Sequence, residues 1–512
     1  MSSGTAKKWG LRLLPWGAGI VALLSRIPYT IRYDLHFGGD FAVPYLMAKR
    51  ILVGEFPIYF WEQNNQGTLA QYVAALFFRI FGASIPLAGF VTAMFWAVAI
   101  GWGVYYVQQH FGVKPAVFAA IAACVGVPHW HHYDSVAICT AYAVAPLLPM
   151  LFFWLALTTF ERGMTTGRSI LWGFFLGFGW YNTQQIVFSL VAIGVTVLLV
   201  PSWRGRLKEF IHFRTIGLVI VFAGVGISPN FLHKYNPNSP PPPQTSLADP
   251  AMMSKNFFAL VRAIPTYFDG DPLKRLPENV WYWKYKEYED SRPNSAVDVI
   301  AIIAAFITCS FIIQSFREAW QQKNAPVLLL AAYPLGNAFL NVVTAAVQGG
   351  YYPGQRYLLP SGVILMLWLG IKLARSLDAR HFVTAAVLVL TLGLSVFHQT
   401  EIFQQPDQLA DYRRLADELL QKGYRYAAST YGDSYVLTAL TNERLIVTPL
   451  DYKAYPKYQE AVGSADKWVL ILPAQAQIPP GNIRVFNHDY VRDGEPQSVG
   501  FFKYIPYKRL FL

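Results

Sequence analysis

Residues 88–108 read AGFVTAMFWAVAIGWGVYYVQ, an apolar run with no charged side chain. A helix of this length crosses the roughly 30 Å hydrocarbon core of a lipid bilayer. Backbone amides in lipid have no water to bond, so a spanning segment has to satisfy them within a helix. The run therefore predicts a transmembrane helix.

Similar apolar runs recur up to residue 398, and together they predict about eleven spans. Their approximate bounds are 13–31, 88–108, 114–129, 136–159, 168–181, 184–200, 215–232, 297–315, 326–346, 357–374 and 381–398. The composition, 54% hydrophobic and only 14% charged residues, excludes an ordinary soluble protein. We predict an α-helical polytopic membrane protein.

The basic residues indicate how the chain is oriented. A formal net charge of +12 is compatible with nucleic-acid binding, but the Lys and Arg residues form short clusters between apolar runs rather than one basic face. The clusters are Lys7 with Lys8, Lys114, Arg162 with Arg168, Arg204 to Arg214, Arg317 with Lys323, and Lys372 to Arg380. They fall on one side of the predicted spans, which predicts a cytoplasmic N-terminus and no nucleic-acid partner. The short segment 69–82 contains Arg79, and we interpret it as a surface helix on the outer side.

The tail after residue 398 has no further spanning run. ADYRRLADELLQKGYRYAAST at 410–430 predicts a helix that ends near Gly423 and then a strand, and KWVLILP at 467–473 predicts another buried strand. An odd number of crossings places this tail outside the cytoplasm. We predict a transmembrane region, 1–398, with outer loops 33–83 and 233–296, followed by a small extracytoplasmic α/β domain, 399–512.

Asp40 is the first candidate for chemistry. It lies in HFGGDFAVPYLMAKRILVGEFPIYFWEQ at 36–63, just after the first span, where a carboxylate at the bilayer surface can take a proton or bind a metal. The alternative is that Asp40 is the N-cap of a helix over 41–53, a common position for Asp. Both interpretations are open at this stage.

The predicted short outer loop PHWHHYDS at 128–135 holds His129, His131, His132 and Asp134. A carboxylate beside three imidazoles can form half of a metal or substrate site, although the HxHH spacing matches no usual zinc motif. Interfacial His and Trp residues are also common without any catalytic role.

Two further polar positions lie at predicted outer helix ends. Arg356, in GGYYPGQRYLLPSG at 349–362, can bind a lipid phosphate bidentately or simply extend to the headgroups. Gln184, in YNTQQ at 181–185, can hydrogen-bond a sugar or satisfy the ends of the adjacent helices.

Known signatures of ATP use and of hydrolysis are missing from the sequence. It contains no P-loop, GxSxG, HExxH or kinase motif, so ATP-driven pumping and serine or zinc hydrolysis have no support. The energy for an outer-face reaction then has to come from the substrate, and a lipid-linked activated sugar meets that condition.

Several segments together resemble the GT-C superfamily of membrane glycosyltransferases, in particular the bacterial branch of protein O-mannosyltransferases and the lipid A aminoarabinose transferase. These are Asp40 after the first span, AKRILVGEFP at 48–57, YFWEQNNQGTLAQYVAALFFRIFG at 59–82, GFFLGFGWYNTQQIVFSL at 173–190, SPNFLHKYNP at 228–237 and QRYLLP at 355–360. RYAASTYGDSYVLTALTNERLIVTP at 425–449 resembles the soluble extension of some bacterial members. WEQNNQG at 61–67 replaces the Glu-Lys-Pro of the aminoarabinose branch, so we expect a different substrate.

The resemblance implies a multi-pass enzyme of the bacterial inner (plasma) membrane. It would transfer a sugar from a polyprenyl-phosphate donor to a glycan, lipid or protein acceptor, with inversion at the anomeric carbon. Asp40 would be the catalytic carboxylate and Asp134 its helper, and the two would also hold a divalent metal, Mg²⁺ or Mn²⁺, where one is used. The residues expected to bind substrate or lipid phosphate are Arg356, Glu62, Gln63, His131, His132, Tyr357 and Gln184.

Two functions of other classes also fit these residues. A transporter or flippase for a lipid-linked saccharide would translocate it without a covalent product. A structural or assembly factor would recruit partners through the tail, and its function would be insensitive to substitution of Asp40.

Overall fold

The computed structural model describes residues 3–61, 66–125, 135–136, 143–232, 247–263, 295–344, 353–451 and 455–510. Up to residue 401 the described residues form helices and the turns between them. The helices are α1 (Ser3–Leu24), α2 (Ile27–Ile31), α3 (Gly39–Leu52), α4 (Leu69–Phe81), α5 (Ile85–Phe111), α6 (Val113–Val125), α7 (Leu147–Arg162), α8 (Thr166–Asn182), α9 (Ile186–Leu199), α10 (Pro201–Phe210), α11 (Phe213–Ile227), α12 (Pro229–Leu232), α13 (Pro250–Ala263), α14 (Ser295–Gln322), α15 (Ala325–Val343), α16 (Pro353–Asp378) and α17 (Phe382–Glu401). A single 3₁₀ turn, Tyr33–Leu35, precedes α3.

The helices agree with the apolar runs of the sequence. A helix covers most of each predicted span, and α4 coincides with the predicted surface helix 69–82. Within the described part of the chain, α5, α15 and residues 299–322 of α14 are each long and apolar enough to cross a membrane. The pair α9 and α10, bent by 115°, gives a fourth if it counts as one span. The chain is a multi-pass membrane protein, and the total of eleven crossings stays a prediction.

The basic loops lie together at one end of the helical bundle, here called the basic end. Lys114, after α5, pairs with Asp378 at the last residue of α16. The Arg206 guanidinium in α10 donates to the carbonyl oxygen of Glu161 at 3.2 Å, and the Tyr106 hydroxyl donates to the carbonyl oxygen of Pro326 at 2.8 Å. These contacts join turns that the charge pattern predicted to share one side. The assignment of that side to the cytoplasm stays a prediction.

Small residues let several helices approach closely. A Cβ at Gly177 of α8 would overlap the carbonyl oxygen of Ala223 in α11, and one at Gly370 of α16 would overlap the backbone of Ala119 in α6. Lipid tails are as apolar as leucine side chains, so membrane helices gain little from burying apolar surface and depend on such backbone contact. These contacts hold α8 against α11 and α16 against α6.

A sheet domain follows the membrane region. Its elements are α18 (Ala410–Gln421), β1 (Tyr426–Ser429), α19 (Tyr431–Leu440), β2 (Ile446–Pro449), α20 (Pro456–Gly463), β3 (Lys467–Pro473), β4 (Asn482–Val485), β5 (His488–Arg492), β6 (Gln497–Val499) and β7 (Phe502–Arg509). The strand order is β2-β1-β3-β7-β5-β4, with β6 on β7. β1 to β3 are parallel and the rest antiparallel. The predicted small α/β domain is confirmed.

A cluster of charges docks this domain onto α3. The Glu443 carboxylate accepts hydrogen bonds from the Lys49 ammonium at 2.9 Å, from the Arg50 guanidinium, and from the Tyr458 hydroxyl at 2.7 Å. Only 18% of the Glu443 side chain is exposed. Burial alone raises the pKa of Glu443, but the hydrogen bonds from Tyr458 and Lys49 and the Arg50 charge outweigh it and hold that pKa below its ordinary value.

Aromatic rings continue the same interface. Trp61 of the first loop stacks on Tyr455 of the sheet domain, with ring centroids 4.0 Å apart and planes 13° apart. The Arg50 guanidinium lies 5.6 Å from the Tyr455 ring centroid and 5.5 Å from that of Tyr458. Stacked rings and cation–π contacts each add to the stability of such an interface. The sheet domain is thus fixed against the loop that contains Asp40.

The close contact of α8 and α11 predicts an asymmetric effect of two glycine substitutions. Gly177→Ala should lower the melting temperature in detergent by several degrees, because overpacking of a helix contact costs about 1–3 kcal/mol. Gly224→Ala, in α11, is the matched control, since a Cβ there meets nothing within 4 Å and alanine favours the helix. Equal melting temperatures for the two variants would contradict the packing described here.

The Glu443 cluster predicts that docking depends on pH. Glu443→Gln should weaken docking by about 1–3 kcal/mol, because Lys49 and Arg50 lose their shared carboxylate and its charge-assisted hydrogen bonds. The folded-state pKa is depressed, so the carboxylate contributes fully above about pH 4.5 and its contribution is lost as the pH falls further. Hydrogen exchange of the α19 amides should therefore be faster in the wild type at acid pH than at neutral pH. In Glu443→Gln it should be fast at both acid and neutral pH. Glu460→Gln, an exposed carboxylate on α20, should behave like the wild type.

Candidate active site

Asp40 lies in the first turn of α3. The helix begins at Gly39, and its N-cap is Gly38, whose backbone is extended with ψ −173°. The alternative that Asp40 itself caps the helix is therefore wrong. A carboxylate in the first turn still interacts favourably with the positive end of the helix dipole. The helix thus supports a negative charge at this position.

The sheet domain contributes a direct neighbour to Asp40. The Tyr431 hydroxyl, at the first residue of α19, donates to Oδ1 of Asp40 at 3.2 Å. The two backbones approach closely beside this bond, because a Cβ at Gly39 would lie 3.0 Å from Cα of Gly432. Asp40 is half-buried in this contact.

Asp34, in the 3₁₀ turn that precedes α3, has a structural role. The Arg32 guanidinium binds both of its oxygens at 2.9 Å, a bidentate geometry. The same guanidinium donates to the carbonyl oxygens of Ile402 and Gln405, at the start of the linker to the sheet domain. Arg32 therefore ties the first loop to the linker.

His36 lies between these two carboxylates in sequence and is buried. Burial lowers the pKa of His36 to about 3, although the Asp34 carboxylate acts in the opposite direction. The imidazole is therefore neutral near neutral pH. It packs edge-on against Phe41, with ring centroids 5.7 Å apart.

The predicted loop with Asp134 lies outside the described residues, as do His131 and His132. Ser135, the next residue, is described. Its Oγ accepts a hydrogen bond from Nε of Arg26 at 3.0 Å. Arg26 is fully buried just after α1, beside the Trp96 ring. Residue 135 therefore lies near the loop that leads to Asp40, at the end of the bundle opposite the basic end.

Arg356 and Tyr357 lie in the first turns of α16. The other end of α16 is Asp378, which pairs with Lys114 at the basic end. The start of this helix is consequently at the same end of the bundle as Asp40. The side chains of Arg356 and Tyr357 are outside the described part of the chain.

Gln184 lies half-buried in the turn between α8 and α9, and this turn packs on the first loop. The Tyr181 hydroxyl contacts Oγ1 of Thr68 at 3.2 Å, and the Gly67 amide donates to the carbonyl oxygen of Asn182 at 3.3 Å. The predicted binding residues Glu62 and Gln63 precede Gly67 and lie outside the described residues.

The same turn contains two buried amide oxygens without a described partner, Oδ1 of Asn182 and Oε1 of Gln185. A buried amide oxygen normally accepts a hydrogen bond. Its donor has to come from water, from a ligand or from residues that the structure does not describe.

An open cleft of about 400 Å³ lies between the sheet domain and the turn before α5. The polar and aromatic side chains that line it are Tyr33, Tyr45, Ser84, Arg413, Asp417, Thr441, Asn442 and Arg444. Tyr45 is on α3, five residues after Asp40. The cleft gives solvent a route to the junction of the two parts of the chain.

The described residues do not form a divalent metal site. Among them, no three His, Cys, Asp or Glu side chains converge. Oδ1 of Asp40 faces a phenol, and both oxygens of Asp34 face Arg32. The predicted metal pair of Asp40 and Asp134 includes a residue outside the description, so it stays a prediction.

Tyr431, Arg32 and Arg26 were not identified from the sequence as site residues. Arg26 and Arg32 are charged residues at the end of an apolar run. The tendency of basic residues to flank membrane spans explains that pattern equally well. Tyr431 follows a predicted strand in STYGDS at 429–434, and the Tyr-Gly-Asp turn was its only mark. Nothing in that turn indicates contact with a residue 391 positions away.

No protein-family profile matches the sequence, and no curated protein matches it either. Solved structures do match. ArnT from Cupriavidus metallidurans bound to undecaprenyl phosphate has a TM-score of 0.54 and 11% identity, over 95% of this chain and 97% of that chain. The apo state of the same protein has a TM-score of 0.53 and 13% identity, over 92% and 94%.

A third structure is the Archaeoglobus fulgidus oligosaccharyltransferase tethered with an acceptor peptide that contains the NVT sequon. Its TM-score is 0.50 at 11% identity, over 91% of this chain and 70% of that chain. Likeness at such low identity establishes the fold alone. The chain therefore has the fold of the GT-C membrane glycosyltransferases, as its sequence resemblance predicted.

Proposed function

We propose that this protein is a membrane glycosyltransferase that moves a sugar from a polyprenyl-phosphate donor to an acceptor outside the cytoplasm. The observation that carries the proposal is the position of Asp40, a half-buried carboxylate in the first turn of α3 at the end of the bundle opposite the basic loops. The GT-C fold over nearly the whole chain supports the same class of reaction.

The proposed chemistry needs one base and one leaving group. The acceptor hydroxyl attacks the anomeric carbon, and its proton passes to the Asp40 carboxylate. The bond between the anomeric carbon and the phosphate oxygen breaks, and its electron pair leaves with the polyprenyl phosphate. Attack from the face opposite the leaving group inverts the anomeric configuration.

Arg356 is the proposed partner of the departing phosphate. Charge grows on that phosphate as the glycosidic bond breaks, and a guanidinium held nearby stabilises the charge. The start of α16 lies at the Asp40 end of the bundle, which supports this role. The described amide oxygens at 182 and 185 support a polar, sugar-binding environment at the same end.

The direct experiment is an incubation of the purified protein with a panel of polyprenyl-phosphate sugars and cell-envelope acceptors. Released polyprenyl phosphate together with a glycosylated acceptor is the expected result. Movement of the lipid-linked sugar across vesicles without a covalent product would identify a flippase instead and would overturn the proposal.

Asp40→Asn should lower kcat by at least about 100-fold, because the amide cannot accept the acceptor proton. Donor binding and the melting temperature should stay close to the wild type, since the amide oxygen can still accept the hydrogen bond from Tyr431. Glu55→Gln is the matched control in the same loop. Glu55 binds Lys457 and Tyr455 of the sheet domain rather than Asp40, so the turnover of Glu55→Gln should stay close to that of the wild type. Full activity of Asp40→Asn would exclude Asp40 as the base.

Arg356→Gln should weaken binding of polyprenyl phosphate about tenfold or more, because a neutral amide replaces a charge-assisted pair. Binding is measured with purified protein and the phosphate lipid alone. Arg375→Gln, near the other end of the same helix, should bind like the wild type. Equal weakening in both variants would indicate general attraction of the anionic lipid rather than a site at Arg356.

A further inference from the structure

Two glycine-containing turns from distant parts of the chain meet at Asp40. One is Gly-Gly-Asp at 38–40, at the start of α3, and the other is Tyr-Gly-Asp at 431–433, at the start of α19. A Cβ at Gly39 would lie 3.0 Å from Cα of Gly432 and 3.1 Å from the Tyr431 ring. The close approach therefore depends on the missing side chain of Gly39, whereas a Cβ at Gly432 would meet nothing within 4 Å. The contact that results is the hydrogen bond from the Tyr431 hydroxyl to Oδ1 of Asp40.

The topology of the sheet domain explains why this turn faces the membrane region. β1 lies between β2 and β3 in a parallel arrangement, and the turn after β1 leads into α19. The carboxyl ends of such strands, where the strand order reverses, are the usual binding edge of an α/β sheet. In this protein that edge of the sheet lies against Asp40.

Local hydrogen bonds hold the Tyr431 turn in place. The Tyr431 amide donates to Oδ1 of Asp451 at 2.8 Å. The Asp433 carboxylate accepts from the Thr430 hydroxyl at 2.7 Å and from the Tyr412 hydroxyl at 2.7 Å. Tyr431 also packs edge-on against Tyr435, with centroids 5.4 Å apart. The turn that carries the phenol is thus held in place by contacts with several neighbouring side chains.

We propose that Tyr431 is a positioning residue that makes the sheet domain part of the active site. Its hydroxyl holds Oδ1 of Asp40 by a hydrogen bond, and the carboxylate held in this position accepts the proton of the acceptor. The phenol keeps its own proton throughout, and its hydrogen bond stabilises the charged carboxylate that the reaction needs. This inference rests on the proposed role of Asp40 as the base.

The turnover test compares Tyr431→Phe with Tyr458→Phe in the full-length protein. Tyr431→Phe should lower kcat about tenfold and leave the KM for the donor unchanged, because the lost hydrogen bond acts on the Asp40 carboxylate and not on the donor. Tyr458→Phe removes a docking hydrogen bond to Glu443 in the same interface. Tyr458→Phe should lower the melting temperature and leave kcat close to the wild type.

A second readout does not require turnover. A hydrophobic carbodiimide modifies carboxyl groups, and mass spectrometry can follow the rate of its addition to the Asp40 peptide at one fixed pH. In Tyr431→Phe the labelling rate should rise, because Oδ1 of Asp40 loses its hydrogen bond, and in Tyr458→Phe the rate should match the wild type. Equal labelling in Tyr431→Phe and wild type would overturn the inference whether or not turnover is observed. Absence of polyprenyl phosphate release by the wild type would overturn the proposed transferase instead.

Discussion

The docking of the sheet domain onto α3 is the contact on which the candidate site depends. Glu443 joins Lys49 and Arg50 of α3 to the sheet domain through one largely buried carboxylate. Such a cluster is stable only while each charge has its partners, because an isolated charge in this position would be strongly penalised. Trp61 and Tyr455 add a stacked pair that excludes water beside it. Since Asp40 lies in the first turn of α3 and Lys49 and Arg50 lie in its last turn, fixing the end of this helix on the sheet domain also fixes the carboxylate near its start.

The helices of the membrane region form the other side of the candidate site, and they are held together mainly by close backbone packing. Close contacts at Gly177 and Gly370 hold helices in pairs where the hydrophobic effect contributes little. These pairs align the turns of the bundle at two ends, one of them basic. Arg32 then links the two parts of the chain, because its guanidinium binds Asp34 in the first loop and carbonyl oxygens at the start of the linker. The position of the first loop is therefore determined from both the bundle and the sheet domain.

The helices and the tail strands were predictable because they depend on local patterns. An uncharged run such as 88–108 has one stable conformation in lipid, and KWVLILP at 467–473 has the β-branched and apolar composition of a buried strand. The start of α3 was less predictable. Asp is a frequent N-cap, but Gly38 has the extended backbone that the cap requires, and the preceding 3₁₀ turn decides this. The contact of Tyr431 with Asp40 was beyond sequence reasoning, because it depends on how a separate domain docks 391 residues later.

In its proposed role as the base of a sugar transfer, Asp40 has to satisfy two opposing demands. The base must be negatively charged before it accepts a proton, yet the site of a sugar transfer has to exclude water. Partial burial raises the free energy of the charged carboxylate. The positive end of the α3 dipole offsets part of that cost from within the membrane region, and the Tyr431 phenol offsets more from the sheet domain. Neither part of the chain supplies both contributions. In the proposed mechanism, this support of a half-buried carboxylate accounts for the docking of the sheet domain against the first loop by buried charges and stacked rings, rather than by the linker alone.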